Sequence, residues 1–447
     1  MTHPLPLAQW LSLSRPDDTC IAWLGERQWS LGELRHDVAA HVKALQAQPG
    51  QRWAICFEDS YLFIVALLAA LHAGKVPVIP GHCRASVLNE QREIFDGVLS
   101  DTELKYNGLQ IVVRTGAHQG EVALPPVAED CYVEVLTSGS TGRPKQIIKP
   151  VALLDKEASM LHTHFSPRFD GCRVVASVIP LHLYGLTFRI FLPMACGMPL
   201  HAAMTSYIEQ LCALDNRHRY VFISSPAFLK RLDQNLTPPP VGMILSAGDT
   251  LPWKSVQDTQ RWFNVWPDEI YGSTETGIMA WQHRMNNETS WRLFPGVTLH
   301  AEGEEWRLRS PLLAQAKGLL LDDDIEQMND SFRLTGRRGR IVKMEEKRIS
   351  LSEVEHRLMA LPGVRDAVAV PVLRGGRQRL GVVLVLSENA RQQWLQTDGK
   401  AQEQAWYQAL LPLLDPIAVP RYWRVVDEIP VNSMNKRVCA QLQELFA

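Results

Sequence analysis

The sequence predicts an α/β protein with a large N-terminal domain of several sheets and a small, mobile C-terminal α+β domain. Two observations predict it. Short apolar runs alternate with helix-length apolar stripes from residue 30 to residue 245. After residue 336 a flexible basic stretch, GRRGR, precedes a shorter pattern of strands and one helix. The length of 447 residues allows about two to four domains, and we place the N-terminal domain at 1–338 and the C-terminal domain at 339–447.

The first elements alternate between helix and strand. Ser30 precedes a helical stripe of apolar residues and is a suitable N-cap. The runs 52–57 and 76–80 then predict buried strands, and residues 60–73 between them predict a buried helix. Strands separated by helices at this spacing predict a sheet that helices cover on both faces.

Later apolar runs predict further strands, each followed by a small or polar turn: 132–136, 174–179, 220–224 and 241–245. In open α/β sheets, the loops after the strands collect ligand-binding residues. The predicted second domain contains strand 341–343, helix 352–361, and strands 366–370 and 381–386. Pro362 and Gly363 end that helix.

Composition excludes several classes of protein. The chain is 46% apolar and 21% charged, and 46 Lys and Arg oppose 48 Asp and Glu, so neither a nucleic acid nor an anionic membrane is an expected partner. The longest apolar run, 63–71, is about half of what a membrane span needs. Eight scattered cysteines without a C-x-x-C pair, and an N-terminus without a secretory signal, predict a cytoplasmic protein with reduced thiols.

Residues 137–145, TSGSTGRPK, predict a phosphate-binding loop directly after a strand. Glycines let the backbone present N–H groups to a polyphosphate, hydroxyls add donors, and Lys145 adds a mobile positive charge. Pro144 makes it unfavourable for a helix to begin at Lys145, so the loop differs from a Walker A loop. A solvent-exposed Ser/Thr/Gly turn is the alternative interpretation.

A second motif lies at 269–277, EIYGSTETG. The ring of Tyr271 can lie against a nucleobase, and Thr274 can donate to a phosphate oxygen. Glu275 can hold magnesium, which prefers oxygen ligands and phosphates. The alternative interpretation is a polar hairpin turn.

Six segments, in this order, resemble motifs of the adenylate-forming (AMP-binding) superfamily, which comprises acyl- and aryl-CoA synthetases, peptide-synthetase adenylation domains and luciferases. The segments are 137–145, the P-x-H-x-x-G segment 180–185, the loop 246–252, the Y-G-x-T-E segment 271–275, the G-R at 336–337, and 430–436 with its lysine. The resemblance runs from about residue 21 to the C-terminus.

The resemblance implies a role for each matching residue. The catalytic residues would be Lys436, Thr274, Glu275 and His182. The ATP-binding residues would be Thr137, Ser138, Gly139, Ser140, Thr141, Gly142, Lys145, Gly248, Asp249, Thr250, Tyr271, Gly272, Ser273, Asp322 and Arg337. The acid pocket would comprise His182, Tyr184, Gly185, Ser246, Ala247, Gly277 and Trp281. Glu275 would bind the metal, and Arg338 and Gly339 would form the hinge.

The family usually places an acidic residue for the ribose hydroxyls upstream of the G-R. Counting back from Arg337 without a gap selects Asp322, with Asp324 second, in the run that also contains Asp323. Gly248, Asp249, Thr250 and Tyr271 would border the adenine, and Arg337 would reach the ribose.

The implied activity is an ATP- and Mg²⁺-dependent ligation. A carboxylic acid would become an acyl-AMP with release of pyrophosphate, and the acyl group would pass to the pantetheine thiol of CoA or of an acyl carrier protein. The reaction brings an anion towards a polyanion, so positioning and charge neutralisation would dominate catalysis. Lys436 would bridge the carboxylate and the α-phosphate, and then swing away as the small domain rotates about the hinge.

The sequence differs from the family pattern at three points that affect this reaction. The phosphate loop begins early in the chain. Gly339 stands where the hinge is often Asp or Lys, so it permits rotation without a side-chain latch. Glu346 stands where thioester-forming members usually have a glycine. The nearby basic residues suggest a docking surface for an acidic carrier protein, with a solvated charged face as the alternative; they are Arg340, Lys343, Lys347 and Arg348.

The acid is predicted from the loop 246–252, which resembles that of benzoate-type ligases. His182, Tyr184 and Trp281 could line a compact aromatic slot, although Trp281 could instead be part of the core. A small aromatic acid, such as a hydroxybenzoate, is the favoured substrate. A short or medium-chain fatty acid and a non-catalytic nucleotide-binding homologue are the alternatives.

Overall fold

The computed structural model describes residues 3–446 apart from 117–122, 138–143, 289, 304, 329, 338–340, 345–346, 375–376, 398 and 432–436. Of residues 336–337, 341, 343, 347–348 and 377 it describes the backbone alone. The chain divides into two compact units, one of residues 1–298 and 309–319 and one of residues 299–308 and 320–447. The predicted domain boundary at 338/339 falls within the second unit and stays a prediction.

The first unit alternates strands and helices. Its strands are β1 (Cys20–Leu24), β2 (Arg27–Ser30), β3 (Arg52–Cys56), β4 (Val76–Ile79), β5 (Gly97–Ser100), β6 (Leu109–Val112), β7 (Tyr132–Thr137), β8 (Lys145–Pro150), β9 (Arg173–Ala176), β10 (Leu200–His201), β11 (Tyr220–Ser224), β12 (Val241–Ala247), β13 (Asp268–Ser273), β14 (Gly277–His283) and β15 (Arg292–Leu293). Its helices are α1 (Leu31–Gln46), α2 (Ser60–His72), α3 (Ala85–Glu90), α4 (Val151–Phe169), α5 (Leu183–Gly185), α6 (Leu192–Cys196), α7 (Ile208–Cys212), α8 (Pro226–Leu229) and α9 (Trp253–Phe263). A 3₁₀ turn covers Leu7–Gln9, and a π-helical segment, Leu186–Phe191, joins α5 to α6.

The described strands of this unit form two mainly parallel sheets. One has the order β15-β14-β13-β12-β11-β9-β10-β1-β2 and the other the order β6-β5-β3-β4-β7-β8. The pairs β11/β12 and β12/β13 are parallel, as are β3/β4 and β4/β7. The pairs β13/β14 and β7/β8 are antiparallel hairpins. The predicted α/β fold is confirmed, and the two hairpins contain the predicted nucleotide-binding motifs.

Local sequence accounts for the first helices. The Ser30 hydroxyl accepts from the Glu33 N–H and the Glu33 carboxylate accepts from the Ser30 N–H, which is a capping box at the start of α1. Helix α2 is buried nearly throughout, as its uniformly apolar sequence predicts. The predictions for 60–73 and 220–224 match α2 and β11 within a residue.

The strands from residue 298 onward are β16 (Thr298–Glu302), β17 (Glu305–Arg309), β18 (Leu319–Leu320), β19 (Asp323–Gln327), β20 (Phe332–Arg337), β21 (Ile341–Met344), β22 (Lys347–Ser350), β23 (Val364–Arg374), β24 (Arg377–Leu386) and β25 (Tyr422–Val425). The helices are α10 (Leu351–Met359), α11 (Glu388–Gln396), α12 (Gly399–Leu410) and α13 (Cys439–Glu444). Strands β23, β24 and β25 form a sheet whose core includes Val354 of α10 and Trp406 of α12. This α+β arrangement agrees with the prediction for the C-terminal part. Across the residues that the structure describes, no helix combines the length and apolarity that crossing a membrane requires.

Candidate active site

The predicted phosphate loop connects the strands of the β7/β8 hairpin. Thr137 ends β7 and pairs with Lys145, which begins β8. A strand therefore follows the loop, in agreement with the expectation from Pro144 that no helix begins at Lys145. The remaining loop residues assigned to ATP lie outside the described residues: Ser138, Gly139, Ser140, Thr141 and Gly142.

The second motif forms the β13/β14 hairpin. Ser273 pairs with Gly277, and residues 274–276 make the turn between them. The Ser273 N–H donates to Thr276 Oγ1 at 2.9 Å, and the Thr276 N–H donates to Ser273 Oγ at 3.2 Å. These bonds close the turn and place Thr274 and Glu275 at its tip. Tyr271 lies before the turn, with its ring 5.5 Å from that of Trp291.

An ion pair joins the two motifs. Lys145 Nζ lies 2.7 Å from Glu275 Oε1, with the lysine side chain 58% exposed and the glutamate side chain 33% exposed. Burial by itself would raise the pKa of Glu275, but hydrogen bonds and the Lys145 charge outweigh it and hold that pKa below its ordinary value. Glu275 is therefore ionised at neutral pH, and it faces a cation that solvent can reach.

A second lysine of β8, Lys149, contacts the backbone of the same turn. Lys149 is buried, and its Nζ donates to the backbone carbonyl of Glu275 at 3.1 Å. Burial lowers the pKa of Lys149, while the charges of Glu157 and Glu275 raise it, and the net shift is downward. Lys149 therefore contacts the backbone of the turn, whereas Lys145 contacts its carboxylate.

Helix α4 supplies a buried carboxylate to this region. Glu157 Oε1 accepts the backbone N–H of Ile278 at 2.7 Å, and Glu157 Oε2 accepts the Thr187 hydroxyl at 2.8 Å. Burial raises the pKa of Glu157 above its ordinary value, against the opposing charge of Lys149 and these two hydrogen bonds. Gly277 has a φ of +69°, and a Cβ there would lie 2.8 Å from Glu157 Oε1, so the carboxylate occupies the space that any other residue would need.

A buried carboxylate also holds the backbone at the end of the predicted adenine loop. Gly248, Asp249 and Thr250 are exposed after β12. The next residue, Leu251, donates its N–H to Glu269 Oε1 at 3.0 Å and accepts Arg284 Nη1 at 3.1 Å. Glu269 and Arg284 are both buried and form an ion pair. Burial raises the pKa of Glu269 despite that partner, and the pair fixes both backbone groups of Leu251.

The segment 180–185 turns sharply into α5. A Cβ at Gly185 would overlap the carbonyl of Ile179, so only glycine permits this approach. His182 precedes α5, and its carbonyl accepts the Leu186 N–H at 2.7 Å. The Tyr184 hydroxyl donates to the carbonyl of Ser224 at 3.2 Å. Burial raises the pKa of Tyr184, so the hydroxyl remains a donor.

Two aromatic groups contain Tyr184 and Trp281, two of the three residues of the predicted acid slot. The Tyr184 ring lies 4.9 Å from that of Phe188. The Trp281 ring lies 4.3 Å from His164 and 6.3 Å from Phe165, both on α4. Trp281 thus packs against a helix, as its alternative interpretation expects, while its role in the acid pocket stays a prediction. Ser246 is buried and Ala247 half-buried at the end of β12.

The second unit contains the predicted ribose residues. Asp322 is exposed just before β19, Asp323 pairs with Arg337 across the β19/β20 hairpin, and Asp324 pairs with Gly336. Which of the three aspartates binds the ribose hydroxyls stays a prediction, with Asp322 first and Asp324 second. The hinge residues Arg338 and Gly339, as well as Arg340, Glu346 and Lys436, lie outside the described residues. Lys343, Lys347 and Arg348 are described by backbone alone, so the carrier-docking surface stays a prediction.

Sequence reasoning missed the buried supports. Lys149, Glu157 and Arg284 belong to no motif that was recognised, and Glu269, although it begins the second motif, was given no role. One signal was available: Lys149 follows Ile147 and Ile148 and precedes Pro150 and Val151, and a charge in such an apolar run predicts a buried and partnered lysine.

The site suits a magnesium ion that arrives with a nucleotide. Within the part of the chain that the structure describes, no group of three or more His, Cys, Asp or Glu side chains could hold a metal by itself. Glu275 offers one ionised, partly exposed carboxylate. Magnesium in such sites is bound through one or two carboxylates together with phosphates and water, so this donor fits.

Comparison with known proteins agrees with these motifs. A protein-family model described as AMP-binding enzyme matches residues 83–314, more than half of the chain. A 4-coumarate–CoA ligase of Cereibacter sphaeroides is 27% identical over 57% of this chain, and the match spans 59% of that ligase. An L-proline–[L-prolyl-carrier protein] ligase of Streptomyces coelicolor is 24% identical over 83% of this chain and 84% of that protein.

A solved structure shares the fold. The benzoate CoA ligase from Burkholderia xenovorans LB400 superposes with a TM-score of 0.78 at 18% identity, over 98% of this chain and 99% of that chain. At this identity the likeness speaks for the fold alone.

Proposed function

We propose, because the chain belongs to the AMP-binding enzyme family, that it is an ATP-dependent carboxylic acid ligase. It forms an acyl-AMP, releases pyrophosphate, and passes the acyl group to the pantetheine thiol of CoA or of an acyl carrier protein. The observation that carries the proposal is the Lys145–Glu275 ion pair, because it brings the predicted phosphate loop and the Y-G-x-T-E turn to one point.

In the first half-reaction, a carboxylate oxygen of the acid attacks the α-phosphorus of ATP. The bond from that phosphorus to the oxygen bridging it to the β-phosphorus breaks, and pyrophosphate leaves with the bonding electrons. Lys145 exchanges its contact with Glu275 for the phosphates, Thr274 donates to a phosphate oxygen, and Lys436 bridges the two reacting anions. These groups act by positioning and by neutralising charge.

Glu275 is the residue that would hold magnesium. When bound, the ion neutralises phosphate charge and orients the leaving group. Both roles of Glu275, as partner of Lys145 and as metal ligand, require an ionised carboxylate. A protonated Glu275 would lose its attraction to Lys145 and its capacity as a ligand.

In the second half-reaction, a thiolate attacks the acyl carbon, the bond from that carbon to the phosphate oxygen breaks, and AMP leaves. The acceptor is either CoA or a carrier protein. The two relatives described above are named for one acceptor each, CoA and a carrier protein. The basic residues Arg340, Lys343, Lys347 and Arg348 support the carrier protein as acceptor.

The acid we propose is a small aromatic one, such as a hydroxybenzoate. The 246–252 loop and the aromatic surroundings of Tyr184 support it. A short or medium-chain fatty acid is the alternative. Retention of Lys145, Thr274, Glu275, Arg337 and Lys436 argues against a non-catalytic homologue.

The test is pyrophosphate exchange into ATP across a panel of aryl and aliphatic acids. We expect exchange with an aryl acid and a loss of roughly two to three orders of magnitude in Lys436→Ala. Exchange with aliphatic acids only would discard the aromatic substrate, and unchanged activity in Lys436→Ala would discard the mechanism. Thioester formation with CoA but not with holo-carrier protein would remove the carrier protein from the proposal.

A further inference from the structure

We propose that Lys149 and Glu157 are positioning residues. They fix the backbone of the Thr274–Thr276 turn, so that the Glu275 carboxylate points towards the magnesium of MgATP. The inference rests on the proposed function. It concerns residues that touch neither substrate nor metal. They act through the backbone, Lys149 at Glu275 within the turn and Glu157 at Ile278, which follows it in β14.

The two residues hold the two ends of one short segment. Lys149 Nζ donates to the carbonyl of Glu275 at 3.1 Å, and Glu157 Oε1 accepts the N–H of Ile278 at 2.7 Å. The held groups are three residues apart, one within the turn that the Ser273–Gly277 pair closes and one in β14 just after it. Anchoring both ends restricts the direction in which the Glu275 side chain leaves the backbone.

The environment makes the anchors rigid. Lys149 is 5% exposed and Glu157 3% exposed. Glu157 also accepts the Thr187 hydroxyl at 2.8 Å, which orients the carboxylate from a third element, the π-helical segment. Gly277 has no side chain, so Glu157 Oε1 packs directly against the strand. Side chains with several fixed partners hold a ligand-binding group more precisely than a free loop does.

Burying two charges is costly, and stability alone gives little reason for it, since apolar residues of similar volume commonly replace buried ion pairs at no loss. The placement of these charges offers another reason. Lys149 is directed at the backbone of the turn that contains Glu275, and Glu157 is directed at the backbone just after that turn. Lys145, on the same face of β8, contacts the Glu275 carboxylate itself. We therefore infer that the two buried residues fix the position of the metal ligand.

The test compares MgATP binding in wild-type protein and in Lys149→Met, by calorimetry, with ATP in EDTA as the metal-free arm. We expect the dissociation constant for MgATP to rise about tenfold and that for ATP in EDTA to change less than about twofold, since one charge-assisted hydrogen bond behind the metal ligand is lost. Lys156→Met is the matched control, because Lys156 is exposed on α4 next to Glu157. Like Lys149→Met, this variant removes one lysine charge, and it should have the wild-type dissociation constant for MgATP.

Two further variants separate positioning from folding. Thr187→Val removes one donor to Glu157 and should raise the MgATP dissociation constant by about threefold. Lys149→Met/Glu157→Gln leaves no buried charge unbalanced, so it should recover thermal stability relative to Lys149→Met while keeping the defect in MgATP binding. If MgATP affinity recovers together with stability, or if Lys149→Met binds MgATP as wild type does, the inference is wrong. Wild-type protein that binds no MgATP would overturn the proposed function itself.

Discussion

Lys145 and Lys149 lie on the same face of strand β8, and both contact Glu275, yet they are in different surroundings. Lys145 is 58% exposed and contacts the carboxylate at 2.7 Å. Lys149 is 5% exposed and contacts the backbone carbonyl at 3.1 Å. Residues four apart on a strand share a face, so sequence spacing cannot account for the difference. The difference in exposure arises from the residues that pack over each end of β8.

The difference separates two tasks. An exposed lysine contributes little to folding and can move from one anion to another. A buried lysine is held by fixed partners, and its pKa is lowered by desolvation. We therefore expect changes at Lys145 to affect chemistry and changes at Lys149 to affect stability and metal affinity.

The largest expected effect is at the partner that the two lysines share. Glu275→Gln should lower the rate of acyl-AMP formation by about two to three orders of magnitude, because the proposed metal ligand is lost. The Lys149 contact is to the backbone and remains, so the unfolding free energy should change by less than about 1 kcal/mol. Pyrophosphate exchange and urea denaturation measure the two quantities. A large loss of stability with normal exchange would contradict this division.

The next effect distinguishes the lysines directly. Lys149→Met should lower the unfolding free energy by about 3 kcal/mol, since it leaves the Glu157 carboxylate buried without an opposing charge. Lys145→Met should change the unfolding free energy by less than about 1 kcal/mol while slowing acyl-AMP formation. Urea denaturation of both variants at one pH tests this. Equal losses of stability would mean that burial does not separate the two residues.

A smaller effect is expected on the other side of the buried carboxylate. Gly277→Ala should destabilise the protein by about 1–2 kcal/mol, because the left-handed backbone at φ +69° disfavours a Cβ. The added methyl group would also press on Glu157 Oε1, so the MgATP dissociation constant should rise. Gly303→Ala is the matched control, because it has φ +64° and open space around a Cβ. It should lose stability without a change in MgATP affinity.

The smallest effect is in the pH dependence of stability. The pKa of Glu275 is lowered on folding, so its contribution is present above the ordinary carboxyl pKa and is lost as the pH falls through the folded value. The pKa of Glu157 is raised, so its burial imposes a penalty that is absent in acid and grows as the pH rises above the ordinary value. Glu275→Gln should therefore differ from wild type in unfolding free energy more at pH 7 than at pH 3. A difference independent of pH would contradict the assignment of the ion pair.

The fold was largely predictable from local sequence. Ser30 caps α1 as expected, and the apolar run of α2 is buried as expected, because capping and burial of an apolar run depend on residues close together in the chain. Proline before Lys145 correctly excluded a helix there. The candidate site was predictable only as a set of motifs, because Lys145 and Glu275 are 130 residues apart and their contact requires two sheets to be in place.

The sequence by itself determined the α/β class, the order of the elements and the motifs that identify an adenylating family, since these depend on periodicity, turn chemistry and short segments. The tertiary structure decided which lysine of β8 faces the carboxylate and which supports the turn. It also decided that Glu157 and Glu269 serve as anchors for backbone groups. The physical reason is burial: the partners that give a charged side chain its role come from distant elements, and no local pattern specifies them.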